Sequence, residues 1–147
     1  MRKQKGFTLI ELVVVVMILG ILAAVAAPKL LGTSSTAADN GLRQTLGVVR
    51  DAIERYAAEH AGSLPGDAGT EADLKADLKP YLRGGFPKCP VAGENDVVKI
   101  TPAAGVIAGE ATATPSKSWH YNSGDGQFIC NSATPTKSDE NVNYDAL

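Results

Sequence analysis

Between Phe7 and Ala27 the chain runs 21 residues with a single charged one, Glu11, and no other feature constrains its fold as tightly. As an α-helix this run is ~31 Å long at ~1.5 Å per residue, the hydrocarbon thickness of a bilayer. A carboxylate inside such a segment costs roughly 2.5–3.5 kcal/mol on insertion scales and is usually kept for a function, with a partner. What Glu11 pairs with is therefore the question the sequence poses.

Three organisations compete for the first thirty residues. Met1-Arg2-Lys3-Gln4-Lys5-Gly6 carries three cations and no acid, so charge asymmetry holds it in the cytoplasm while the rest crosses. A secretory signal would begin this way too, and Ala24-Val25-Ala26 offers it a cleavage site before Ala27-Pro28. Its apolar region, however, is usually only about 7–15 residues and lacks an acid. A plain single-pass anchor accommodates the length and leaves Glu11 as an unexplained penalty.

The third organisation accounts for the acid. Lys5-Gly6-Phe7-Thr8-Leu9-Ile10-Glu11-Leu12 resembles the processing site of type IV pilins and of the related pseudopilins of type II secretion. The resemblance implies cleavage by a prepilin peptidase between Gly6 and Phe7, followed by N-methylation of Phe7. Glu11 matches the family's glutamate, Gly20 its helix-interior glycine and Pro28 its proline, the last two as points of kink or flexibility. The physics agrees: cleavage creates an ammonium at Phe7, one turn from Glu11, where a carboxylate also suits the positive end of the helix dipole. Between subunits the ammonium of an incoming chain can meet Glu11 of its neighbour, and setting register is the best-attested use of a buried charge pair.

Removing the leader takes away Arg2, Lys3 and Lys5, leaving 11 basic against 16 acidic residues with no strong block of either sign. That balance gives no footprint for nucleic acid, and the scarcity of aromatics gives no base-stacking platform. Cys89 and Cys130 are the only cysteines; with the soluble part exported to an oxidising compartment, the two are expected to be bridged. His60 and His120 are expected to face solvent, and no Gly-x-Ser-x-Gly, P-loop or His-Glu-x-x-His pattern occurs. Paired acids such as Glu71 and Asp73 suit a helix N-terminus better than acid–base chemistry. Major pseudopilins often bind calcium in a C-terminal loop. Here Asp125, Asp139, Glu140 and Asp145 lack a fixed ligand spacing, so a solvated tail without a cofactor is expected, with calcium as the alternative.

The remaining pattern predicts an α+β fold. Leu42, Leu46, Val49, Ile53 and Tyr56 recur at helical spacing on one face, so residues 28–62 read as an amphipathic continuation of the apolar helix, ended by Ala61-Gly62-Ser63-Leu64-Pro65-Gly66. Within residues 63–147, a head domain, a short helix capped by Thr70 carries Leu74, Leu78 and Leu82 and breaks near Lys79, before Pro80. Short antiparallel strands follow: Val97–Thr101, a weaker one at Gly105–Ala108, and a hairpin of Ser118–Asn122 with Gln127–Cys130 around Ser123-Gly124-Asp125-Gly126. Residues 131–147 read as a polar, extended or mobile tail. A long helical spine packed on a small antiparallel sheet is also the fold the resemblance implies.

The function expected is that of a structural subunit and not an enzyme. It is a secretion pseudopilin that self-associates into a helical filament, with a type IV pilus pilin, or an exported binding domain behind a discarded signal, as alternatives. Its partners are further copies of itself, the prepilin peptidase, an inner-membrane assembly platform and the lipid bilayer. It sits in the bacterial inner membrane as a single-pass protein with a periplasmic head. Close packing at Gly20, Ala23, Ala24 and Ala27 is expected to support the filament core.

Overall fold

The computed structural model describes residues 6–147, and residues 28–34 as backbone alone. The expected leader lies outside the described residues except for Gly6. The chain divides into two compact units between Ser35 and Thr36.

Helix α1 spans Leu9–Glu59. It passes through Gly20, Pro28, Gly32 and Gly41 without a break in helical backbone, so the low helix propensity of these residues does not end it. In the first unit, Leu9–Ala27 has a mean hydropathy of 3.0, and every side chain in it is exposed. Length and composition suffice to cross a membrane.

In the second unit α1 supplies Leu42, Leu46, Val49, Ala52 and Ile53 to one buried cluster, with Tyr56 packed at its edge. The helix ends where Ala61 takes a left-handed φ of 55° and the Gly62 N–H reaches back to the Ala57 carbonyl at 2.8 Å. Helix α2, Glu71–Leu78, is capped by the Thr70 hydroxyl, which accepts from the Asp73 N–H at 3.2 Å, and it buries Leu74 and Leu78 in the same cluster.

Strands β1 (Val98–Thr101), β2 (Trp119–Asn122) and β3 (Phe128–Cys130) form one sheet in that order. β2 and β3 are the antiparallel hairpin. β1 and β2 are parallel, so the sheet is mixed, with one antiparallel ladder. Residues 102–118 make this possible, since a parallel return needs a connection of about a dozen residues or more. Trp119, Tyr121, Phe128 and Cys130 are fully buried in the cluster with the α1 stripe.

The parallel β1 corrects the expectation of a wholly antiparallel sheet, and three further expectations are corrected. Residues 105–108 form no strand, because their polar groups are taken by side chains: Gly105 N–H by Asp125 at 3.2 Å, Ile107 N–H by Gln127 at 3.3 Å and the Ala108 carbonyl by His120 at 3.0 Å. His120 is consequently buried, 5% exposed, and does not face solvent. Residues 131–147 are a docked segment and no free tail, with a 3-10 turn at Tyr144–Ala146 and Tyr144 buried against the core.

Candidate functional site

The sequence-predicted assembly site lies at the start of α1. Gly6, Phe7 and Thr8 precede the helix in irregular backbone, and Phe7 is 76% exposed. The Glu11 carboxylate accepts from the Thr8 N–H at 2.9 Å and from the Thr8 hydroxyl at 2.7 Å, and the Glu11 N–H points back to the Thr8 hydroxyl at 3.3 Å. Thr8 and Glu11 thus form a reciprocal N-terminal cap, satisfying donors that helix geometry leaves open. Thr8 was not foreseen as part of the site, although Thr-x-x-Glu ahead of an apolar run is a legible capping signature.

An apolar hollow of about 300 Å³ adjoins this cap, lined by Phe7, Ile10, Glu11, Val14 and Val15. Glu11 is therefore a carboxylate at the mouth of an otherwise greasy, fully exposed surface. Within the chain its oxygens take local donors. A carboxylate carries about four lone-pair sites, so it retains capacity for a further cationic donor.

The other predicted positions fall elsewhere. Gly20 lies in helical backbone with open space where a side chain would stand, and Pro28 is within the helix. Cys89 and Cys130 are both buried, with their sulfurs 3.9 Å apart as thiols. The C-terminal acids are used individually. Asp125 accepts from Gly105 and Gln127 N–H, Asp139 from Asn141, and Asp145 from the Gly109 N–H at 2.9 Å. Among the described residues, no three His, Cys, Asp or Glu side chains gather as a metal would need.

The head's titratable groups hold loops in place. His120 Nδ1 donates to the Ala108 carbonyl, so Nε2 accepts from the Thr101 hydroxyl at 2.8 Å. Burial pushes its pKa below the usual imidazole value, against the carbonyl bond. His60 is exposed and stacks on Tyr56 with ring centroids 3.9 Å apart. A cleft of about 310 Å³ beside β3 is lined by Arg50, Glu54, Asp125, Gln127 and neighbouring apolar groups, without a paired nucleophile and base. Arg50 there donates to the carbonyls of Phe128 at 3.0 Å and Leu147 at 2.9 Å, tying α1 to both the sheet and the last residues.

Residues 1–27 match the family model for the prokaryotic N-terminal methylation motif. The type II secretion system core protein G of Vibrio cholerae is 32% identical over 140 residues, covering 82% of this chain and 94% of that protein. Its namesake from Klebsiella pneumoniae is 31% identical over 84 residues, 56% of this chain and 60% of its own length. The prepilin peptidase-dependent protein D of Escherichia coli is 43% identical over 70 residues, 48% of each chain. No solved structure matches.

Proposed function

We propose that this chain, which belongs to the pseudopilin family of the type II secretion system core protein G, works as a filament subunit that is cut after Gly6 and assembles through Glu11. The single observation carrying the reading is the Glu11 carboxylate at the head of an exposed apolar helix, where it accepts from the neighbouring Thr8. Cleavage gives Phe7 an ammonium, N-methylated by the same processing, and an incoming subunit's ammonium then meets Glu11 of a chain already in place. Since lipid is as apolar as a filament core, burial of Leu9–Ala27 gives little selectivity by itself. Small residues at Gly20, Ala23, Ala24 and Ala27, together with the charge pair, supply it. Prepilin peptidase, the inner-membrane platform and the bilayer are the partners of this cycle, with the head on the periplasmic side.

The role is structural, a subunit whose polymer moves other proteins outward, and no catalytic task is assigned to it. The match to the Vibrio secretion protein extends over 140 residues and hence into the head, while that to the prepilin peptidase-dependent protein D of Escherichia coli covers 70, which supports secretion over a pilus.

Mass spectrometry of the purified protein tests the processing step. Methylated Phe7 as first residue is the expected result; Ala27 as first residue, or retention of Met1–Lys5, overturns it. Glu11→Ala should then be inserted and cleaved as before yet yield at least about tenfold fewer filaments, since breaking a buried pair costs about 3–5 kcal/mol. Undiminished filament yield would remove the charge pair from the mechanism.

A further inference from the structure

Cys89 and Cys130 are held on unlike supports. Cys130 closes β3, opposite Trp119 in the hairpin. Cys89 lies in the irregular segment between α2 and β1, which is held to the rest of the head mainly through side chains, Asn95 exchanging bonds with Ser118 at 3.2 Å in both directions. The Trp119 indole N–H donates to the Pro87 carbonyl at 2.9 Å and the Phe86 ring meets Phe128 edge-on at 6.1 Å, while within the segment the Cys89 N–H donates to the Asn95 carbonyl at 3.0 Å. The Ala92 N–H is aimed at the Cys89 sulfur at 3.4 Å.

We propose that the two form a directional disulfide site, in which Cys89 takes the oxidising equivalent from an external disulfide reagent and Cys130 resolves it, stapling the 79–97 segment to the sheet. The Cys89 thiolate attacks one sulfur of the oxidant's disulfide, forming a mixed disulfide and expelling a thiolate that takes up a proton. Cys130 then gives up its proton and attacks the Cys89 sulfur, so the bond to the oxidant breaks and its second thiol leaves. Two thiols of this chain are oxidised, and one disulfide of the oxidant is reduced to two thiols. The order follows from the supports: opening the irregular segment breaks few backbone bonds, whereas exposing Cys130 requires disrupting the sheet. Charge agrees with it. The Cys130 thiol and nearby backbone N–H groups lower the Cys89 pKa, while the bond to Cys89 and burial raise that of Cys130.

The site rests on the geometry of the head and not on filament assembly, so either can fail alone; export of the head supplies the oxidising compartment in the cell. The test uses the full chain, reduced in detergent micelles, titrated with oxidised glutathione, quenched by alkylation and weighed. Wild type should lose both thiols within one chain, lowering the unfolding constant of the head by roughly 10²–10³-fold. Cys130→Ser should retain one glutathione, and Cys89→Ser should react at least about tenfold more slowly until denatured. Two persistent thiols, disulfide-linked dimers, or equal rates for the two variants would overturn the proposal. If a serine variant loses the near-ultraviolet signal of Trp119, the corresponding alanine variant, which keeps an apolar group at that buried position, gives the same reading.

Discussion

Asp39 is a carboxylate on α1 that is only 1% exposed, accepting from the Ser138 N–H at 2.7 Å and the Tyr144 hydroxyl at 2.9 Å. Burial alone would raise its pKa; the donors from Ser138 and Tyr144, with the charge of Lys137, more than offset that and hold it below the usual carboxylate value. A hydrogen bond to a charged group contributes about 1.5–3 kcal/mol, so Tyr144→Phe should destabilise the head by about that much in urea unfolding. Because the folded pKa is depressed, folding at Asp39 releases protons, and its contribution is present above the unfolded value near 4 and lost as pH falls through the lower folded one. His120 has the same sign in a higher window. It is held neutral, so its contribution is present above about pH 6.5 and is lost as pH falls through its depressed folded value. The thermal midpoint of the head should therefore decline on acidification below about pH 6.5. His120→Asn, which keeps a donor toward Ala108 without titrating, should flatten that decline; an unchanged slope in the variant would exclude His120 as its source.

At the scale of elements, the C-terminus of α1 stops on Ala61, an L-residue in the left-handed region that glycine occupies without strain. Ala61→Gly should stabilise the head by about 0.5–1 kcal/mol, read as a higher urea midpoint with unchanged slope. Elements of this kind were legible in the sequence. The stripe from Leu42 to Ile53, the Thr70 cap and the β2–β3 hairpin are specified by residues within a few positions of one another. What was not legible is held by distant side chains acting on backbone. Asp145 fixes Gly109, His120 fixes Ala108, and Asp39 fixes Ser138 across almost the whole head. Periodicity does not register such bonds, so the 102–118 connection was read as partly strand and residues 131–147 as a mobile tail. The parallel pairing of β1 escaped for the same reason, being set by where that pinned connection returns the chain. The site shows the same division: Glu11 stands out as the lone charge of its run, while the Thr8 cap is visible only as a local motif whose importance the geometry supplies.

For the whole molecule, the division at Ser35 and Thr36 separates two kinds of stability. Every member of the buried cluster lies between Leu42 and Tyr144, and the hydrogen bonds that pin the last residues begin at Asp39. The apolar helix contributes no buried side chain among its described residues. A head beginning at Thr36 therefore keeps its core, its caps and its C-terminal lock, and should fold by itself, soluble without detergent, with one cooperative transition and the near-ultraviolet signal of a fixed Trp119. Its midpoint should lie within a few degrees of that of the head in the full chain, because every member of the buried cluster is retained. What it should lose is polymerisation, since the exposed helix and Glu11 go with the deleted part. A truncated head that melts without cooperativity would show that α1 upstream of Thr36 stabilises the fold. One that still forms filaments would show that assembly is driven by surfaces of the head, and the role given to Glu11 would fall with it.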